Sequence, residues 1–128
     1  MARFTHLAPA RDEPAIRRGG IRPTTIAEGS GVFAMPILPS FFASHQWLRE
    51  LKRQHAGPFV AIDFVIPDGE EVLASHYSRE RGRYAANEAV GVIMRAEDPR
   101  GYEVIVPRKI EVKDLRRTRR VPQVVGWR

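Results

Sequence analysis

Three short apolar runs in this chain are closed by proline. They are Val32-Phe33-Ala34-Met35 before Pro36, Phe59 to Ile66 before Pro67, and Val104-Ile105-Val106 before Pro107. Each is rich in β-branched or aromatic residues and too short for a typical helix, so each reads as a buried or half-buried strand. Proline brings no N–H to a ladder and so punctuates the runs. A chain built around three such runs has to form a sheet.

Helical signals fall between them. Asp12 can cap a short helix whose first turn tolerates Pro14, with Arg17-Arg18 at its negative end and Gly19-Gly20 as its stop. Ile21 follows and is expected to be buried. Pro39-Ser40 introduces the longest helix, roughly 40–54, with Phe41, Ser44, Leu48 and Leu51 on one face and Trp47 adjoining. A third helix begins at Asn87 and runs to about Ala96.

The remaining elements are a first strand over Arg3–Leu7, a loop over residues 22–31 that includes Gly29-Ser30-Gly31, and a turn at Pro67-Asp68-Gly69. A strand from Glu71 to about Tyr77 is expected to pair with Phe59–Ile66 as a hairpin. Arg79–Arg83 reads as a charged loop, and a last strand spans about Leu115–Val121. The order predicts one α+β domain over residues 1–128, with a mostly antiparallel sheet and two to three helices.

Composition narrows the chemistry. The absence of cysteine excludes disulfides, thiolate metal sites and thiol nucleophiles. No apolar stretch is long enough for a membrane span and the N-terminus has no signal-like core, so the expected location is the cytoplasm and no membrane partner is expected. The net charge of +6, concentrated at Arg17-Arg18, at Arg49 with Lys52-Arg53 and at Arg116–Arg120, suits a polyanion. A solvated basic face is the plainer alternative.

Four histidines, His6, His45, His55 and His76, are too scattered to form a metal pair, so no metal site is expected. Phosphate-binding glycine loops and the Gly-x-Ser-x-Gly elbow are absent. Taken singly, the remaining polar and aromatic candidates have ordinary structural roles. His6 at a strand end hydrogen-bonds locally, Phe33 packs in the core, and Ser44 and Trp47 pack along a helix. Glu103 in Gly101-Tyr102-Glu103-Val104 is a strand-end charge. Asp63 interrupts Val60-Ala61-Ile62-Asp63-Phe64-Val65; the expected position is the solvent face of an amphipathic strand, since a buried one would need a partner such as arginine.

Their order along the chain carries more than any one of them. Thr5-His6 closes a strand, Ile16-Arg17-Arg18-Gly19-Gly20-Ile21 ends a helix on glycine, Gly31-Val32-Phe33 opens a strand, Ser44 and Trp47 share a helix, and Glu103-Val104-Ile105-Val106 comes last. This series resembles the ADP-ribosyltransferase superfamily, in particular its poly(ADP-ribose) polymerase and diphtheria-toxin-like branch and its DNA-modifying toxin branch. The likeness extends from Arg3 to Val121 as a pattern.

The resemblance implies a split, mostly antiparallel sheet and NAD as substrate. It gives His6 the adenosine-side ribose, the Leu7 backbone the nicotinamide amide, and Phe33 and Trp47 the aromatic contacts, with Trp47 stacking on the nicotinamide. Ser44 would reach the nicotinamide amide. Glu103 becomes the catalytic carboxylate beside the nicotinamide ribose, and Arg17, Arg18 and Arg22 are the nearest cations for the pyrophosphate. The chain departs from the pattern in three places. Leu7 stands where a small or polar residue is common, Phe33 where tyrosine is common, and Gly101 where arginine-modifying members carry a second acid or amide.

The expected function is therefore transfer of ADP-ribose to a macromolecule, nucleic acid more than an acidic protein, or hydrolysis of NAD. A non-catalytic basic α+β module binding nucleic acid or a protein partner is the competing expectation.

Overall fold

All eight residues of Phe59–Ile66 are buried, which requires neighbours on both faces and at both edges of this strand. The computed structural model describes residues 1–26, 29–37, 58–76, 82–95 and 102–120. Within them the strands are β1 (Ala2–Pro9), β2 (Thr24–Ile26), β3 (Gly29–Pro36), β4 (Phe59–Ile66), β5 (Glu71–His76), β6 (Gly82–Ala85), β7 (Tyr102–Val106) and β8 (Leu115–Arg120). The helices are α1 (Glu13–Gly19) and α2 (Ala86–Met94). The expected helix over 40–54, and with it Ser44 and Trp47, lies outside the described residues.

The strands form one sheet in the order β6-β5-β7-β3-β1-β4-β8, with β2 added to β3, and every pairing is antiparallel. The domain is thus α+β with a mostly antiparallel sheet. No described helix is long and apolar enough to cross a membrane.

The main core lies on one face. Phe4 and Ala8 of β1, Val32 and Ala34 of β3, Ile62 and Phe64 of β4, and Val104 and Val106 of β7 alternate onto it. Ala86, Ala89 and Ile93 of α2 complete it, and Ile16 of α1 packs at its margin. Phe4 and Phe64, directly opposite in register, stack with centroids 6.0 Å apart.

Three expectations are corrected by the fold. The turn at Pro67-Asp68-Gly69 does not close a β4–β5 hairpin, because both edges of β4 are taken by β1 and β8 while β5 pairs with β6 and β7. Instead the turn holds the start of α2, with Asn87 N–H donating to the Asp68 carbonyl and Ala86 N–H to that of Glu70.

Gly29-Ser30-Gly31 is strand, not loop. Gly31 fits because its bare Cα faces the Ile105 methyl, where a side chain would collide. Gly82 and Arg83, expected in a loop, begin β6.

Asp12 does occupy the N-cap of α1, but its side chain makes no capping bond. At the other end Gly20 takes φ 85°, closing the helix with its N–H on the Ile16 carbonyl. Ile21 then exchanges both backbone bonds with Ile110, at 2.9 and 3.0 Å, pinning the helix exit to the segment before β8. Arg108 ties the β7 exit to the β4–β5 turn through a two-point grip on Glu70, at 2.7 and 2.9 Å.

Candidate functional site

Strands β1 and β3 pair only at Phe4–Pro36 and Thr5–Met35. Beyond this point β1 continues along β4 as far as Pro9–Phe59, and β3 continues along β7 through Val32–Val106. His6 is the first residue past the last β1–β3 pair. Its Nδ1 lies 2.7 Å from the carbonyl oxygen of Phe33, so a side chain takes over where the backbone ladder stops.

A carbonyl oxygen can only accept, so Nδ1 carries the proton and donates it. In the neutral ring Nε2 is then an acceptor. Burial pushes the His6 pKa below its usual value, although the bond to Phe33 and the charge of Asp12 pull it upward. The ring is therefore neutral at pH 7, with one nitrogen committed to the scaffold.

The pleat sorts the other candidates. Direct pairing places His6 opposite Ile62 and Leu7 opposite Ala61, so His6 alternates with Phe4 and Ala8 on the main core face and Leu7 lies on the other. Phe33 pairs with Ile105, and Glu103 sits two residues before Ile105. Phe33 and Glu103 therefore share the face of Leu7. The structure joins His6 to Phe33 by a hydrogen bond and puts Phe33, Leu7 and Glu103 on one side of the sheet. Arg17, Arg18 and Arg22 are exposed, with Arg17 held 2.7 Å from Glu13.

Glu103 is half-buried and lies opposite Ser75 of β5. It is one step beyond the Ala34–Val104 pair, hence level with Met35. Since Met35 pairs with Thr5, Thr5 with Asp63 and Asp63 with Arg117, one row runs across the sheet from Glu103 to Arg117. The backbones of β1 and β7, flanking β3 near Met35, are about 10 Å apart at two interstrand spacings.

Asp63 is the residue that the sequence reading misplaced. It is buried, 5% exposed, with Arg117 Nε donating to Oδ2 at 3.1 Å and Arg119 Nη2 donating to Oδ1 at 2.8 Å. The solvent-facing expectation fails because both arginines come from the neighbouring strand β8.

A bulge makes this match work. Leu115 pairs with Phe64 and Arg117 with Asp63, so the ladder shifts by one residue at Arg116. Leu115 and Arg117 are both odd-numbered, yet the bulge turns Leu115 toward the core and Arg117 toward Asp63. The signal was present as a single acid inside an apolar strand, with arginines at alternate positions 117 and 119.

Two buried polar atoms on this face, Thr5 Oγ1 and Arg119 Nε, have no hydrogen-bond partner among the described residues. Among the described residues no group of three or more acidic or histidine side chains could hold a metal ion. Comparison with protein family models, curated proteins and solved structures finds no match to this chain.

Proposed function

We propose that the chain is an ADP-ribosyltransferase-like domain with a split antiparallel sheet, which binds NAD and transfers its ADP-ribose to a macromolecule or to water. The observation that carries the reading is the bond from His6 to Phe33 at the point where β1 and β3 part. It joins the first and third members of the ordered series. It also leaves Nε2 of a neutral ring, on the core face and across the sheet from Leu7, Phe33 and Glu103, to accept a hydrogen bond from a ribose hydroxyl of an NAD that would reach through the opening where β1 and β3 part. Beyond Thr5 the β3-facing edge of β1, Leu7 included, is outside the β1–β3 ladder, which leaves backbone groups for the nicotinamide amide.

In the reaction the bond between nicotinamide and ribose C1′ breaks, and the bonding pair leaves with neutral nicotinamide. Positive charge develops on the ribose ring. Glu103 hydrogen-bonds the 2′-hydroxyl and stabilises that charge more in the transition state than in bound NAD. A lone pair of an acceptor hydroxyl or amine, or of water, then closes onto C1′, and the proton of the attacking group passes to solvent. Phe33 would flank the nicotinamide, and in the same reading Ser44 and Trp47 complete its site.

The test uses NAD directly. NAD should raise the unfolding temperature by mass action, equivalent to about 2.7 kcal/mol at 100 times Kd. Glu103→Gln should retain the fold and the thermal shift while nicotinamide release is lost. Absence of any shift at millimolar NAD would sink the reading. The competing reading, a non-catalytic basic module, draws its support from the arginine-rich edge strand β8.

A further inference from the structure

Strand β8 ends the sheet order, with β4 on one side and no described strand on the other. Its six residues, Leu115–Arg120, contain four arginines. An unpaired edge normally needs protection against other strands, and a row of cations provides it. Protection alone, however, does not explain why a buried carboxylate is spent on two of them.

Asp63 holds Arg117 through Nε and Arg119 through Nη2, one carboxylate oxygen each. Arg119 Nε is buried, so the outward groups are the terminal nitrogens of Arg117 and Nη1 of Arg119, on side chains 67% and 38% exposed. Asp63 therefore cancels one charge of two and fixes both arginines in direction. Alternate residues along a strand are roughly 6.6 Å apart, so the pair forms a short, regularly spaced cationic track.

Arg120 is exposed on the opposite face of β8, and Arg116 is exposed at the bulge with Nη1 donating to the Lys113 and Leu115 carbonyls. Arg3, level with Val65 and on the same side as Arg117, is exposed as well. The track lies on the same side of the sheet as Glu103, about 19 Å from it at four interstrand spacings.

We propose that β8 is a docking edge for the phosphodiester backbone of a single-stranded nucleic acid, and that Asp63 is the positioning residue that orients Arg117 and Arg119 toward its phosphates. The occupant follows from charge complementarity and shape. A polyanion suits fixed guanidinium forks, which bind phosphate in a directed manner. An extended strand edge of roughly 20 Å offers a linear track, which a flexible single strand can follow. Neither described helix is free to enter a duplex groove, since α1 and α2 both pack on the core. The proposal supplies the acceptor side of the reading above, and it is tested without NAD, so either can fail alone.

The experiment measures binding of a fluorescent oligothymidine to the full chain across a salt series. Binding should weaken steeply with salt, and Arg3→Gln/Arg117→Gln, which removes two exposed cations on the face of the track and leaves Arg119 paired with Asp63, should lower the slope of log affinity against log salt by about 1.4 for two lost contacts. Asp63→Asn makes the surface more positive, and nonspecific attraction would then strengthen binding. Positioning requires a severalfold loss instead, with circular dichroism showing that the variant is folded. If Asp63→Asn does not fold, the slope of the double arginine variant decides. No binding, an unchanged slope in that variant, tighter binding by folded Asp63→Asn, or preference for a duplex of equal length would each overturn the proposal.

Discussion

The imidazole of His6 donates from Nδ1 to the carbonyl of Phe33 at 2.7 Å, bridging β1 and β3 one residue after their ladder ends. One side chain thereby ties together two strands that diverge toward different neighbours, β4 and β7. The same bond sets the tautomer, so scaffold and candidate chemistry depend on a single proton.

That proton arrangement predicts a pH dependence. Burial lowers the folded-state pKa of His6 below its ordinary value near 6.5. The neutral ring is the form the fold favours, so its contribution to stability is complete above the unfolded pKa. It is lost as pH falls from about 6.5 toward the lowered folded value. Urea unfolding between pH 7.5 and 5 should show this decline. His6→Asn, which keeps a donor near the Nδ1 position but does not titrate, should flatten it.

Gly20 predicts a backbone effect. Its φ of 85° suits glycine, and a Cβ there would run into the Ile110 carbonyl that accepts from Ile21. Gly20→Ala should therefore cost about 2 kcal/mol or more, from left-handed strain together with the displaced bridge. Gly19→Ala is the control, because nothing lies within 4 Å of a Cβ at that position. Chemical denaturation of both variants gives the comparison.

The bulge at Arg116 predicts that the extra residue is dispensable to the ladder. Arg116→Ala keeps it and should change stability by about 0.5 kcal/mol or less, as for a surface site. Removing Arg116 altogether places Leu115 next to Arg117, opposite the adjacent Phe64 and Asp63, so a regular ladder still turns Leu115 to the core and Arg117 and Arg119 to Asp63. Urea unfolding should therefore give the two variants similar midpoints. A clearly lower midpoint for the deletion would contradict this register.

Much of the sheet was legible because strand identity is local. Alternating or continuous apolar residues ended by proline place β3, β4 and β7, and Gly20 marks the end of α1, without knowledge of any neighbour. The order of His6, Phe33 and Glu103 along the chain was equally plain. The face each occupies was not, since it depends on register. Gly29-Ser30-Gly31 looked like a loop because its composition is that of one, yet β2 and the Ile105 methyl make it a strand.

By itself, then, the sequence determined that the apolar runs of β1, β3, β4, β5 and β7 are extended, where the short helix stops, and that the net charge is basic, while β2, the start of β3 and β6 looked like loops. The tertiary structure decided that β4 pairs with β1 and β8 and not with the adjacent β5, and that Asp63 is buried. Both depend on residues far along the chain: the arginines that satisfy Asp63 are 54 and 56 positions away. Whether a carboxylate faces water or the interior is a balance between desolvation and a partner's charge, and only the folded sheet brings that partner within reach.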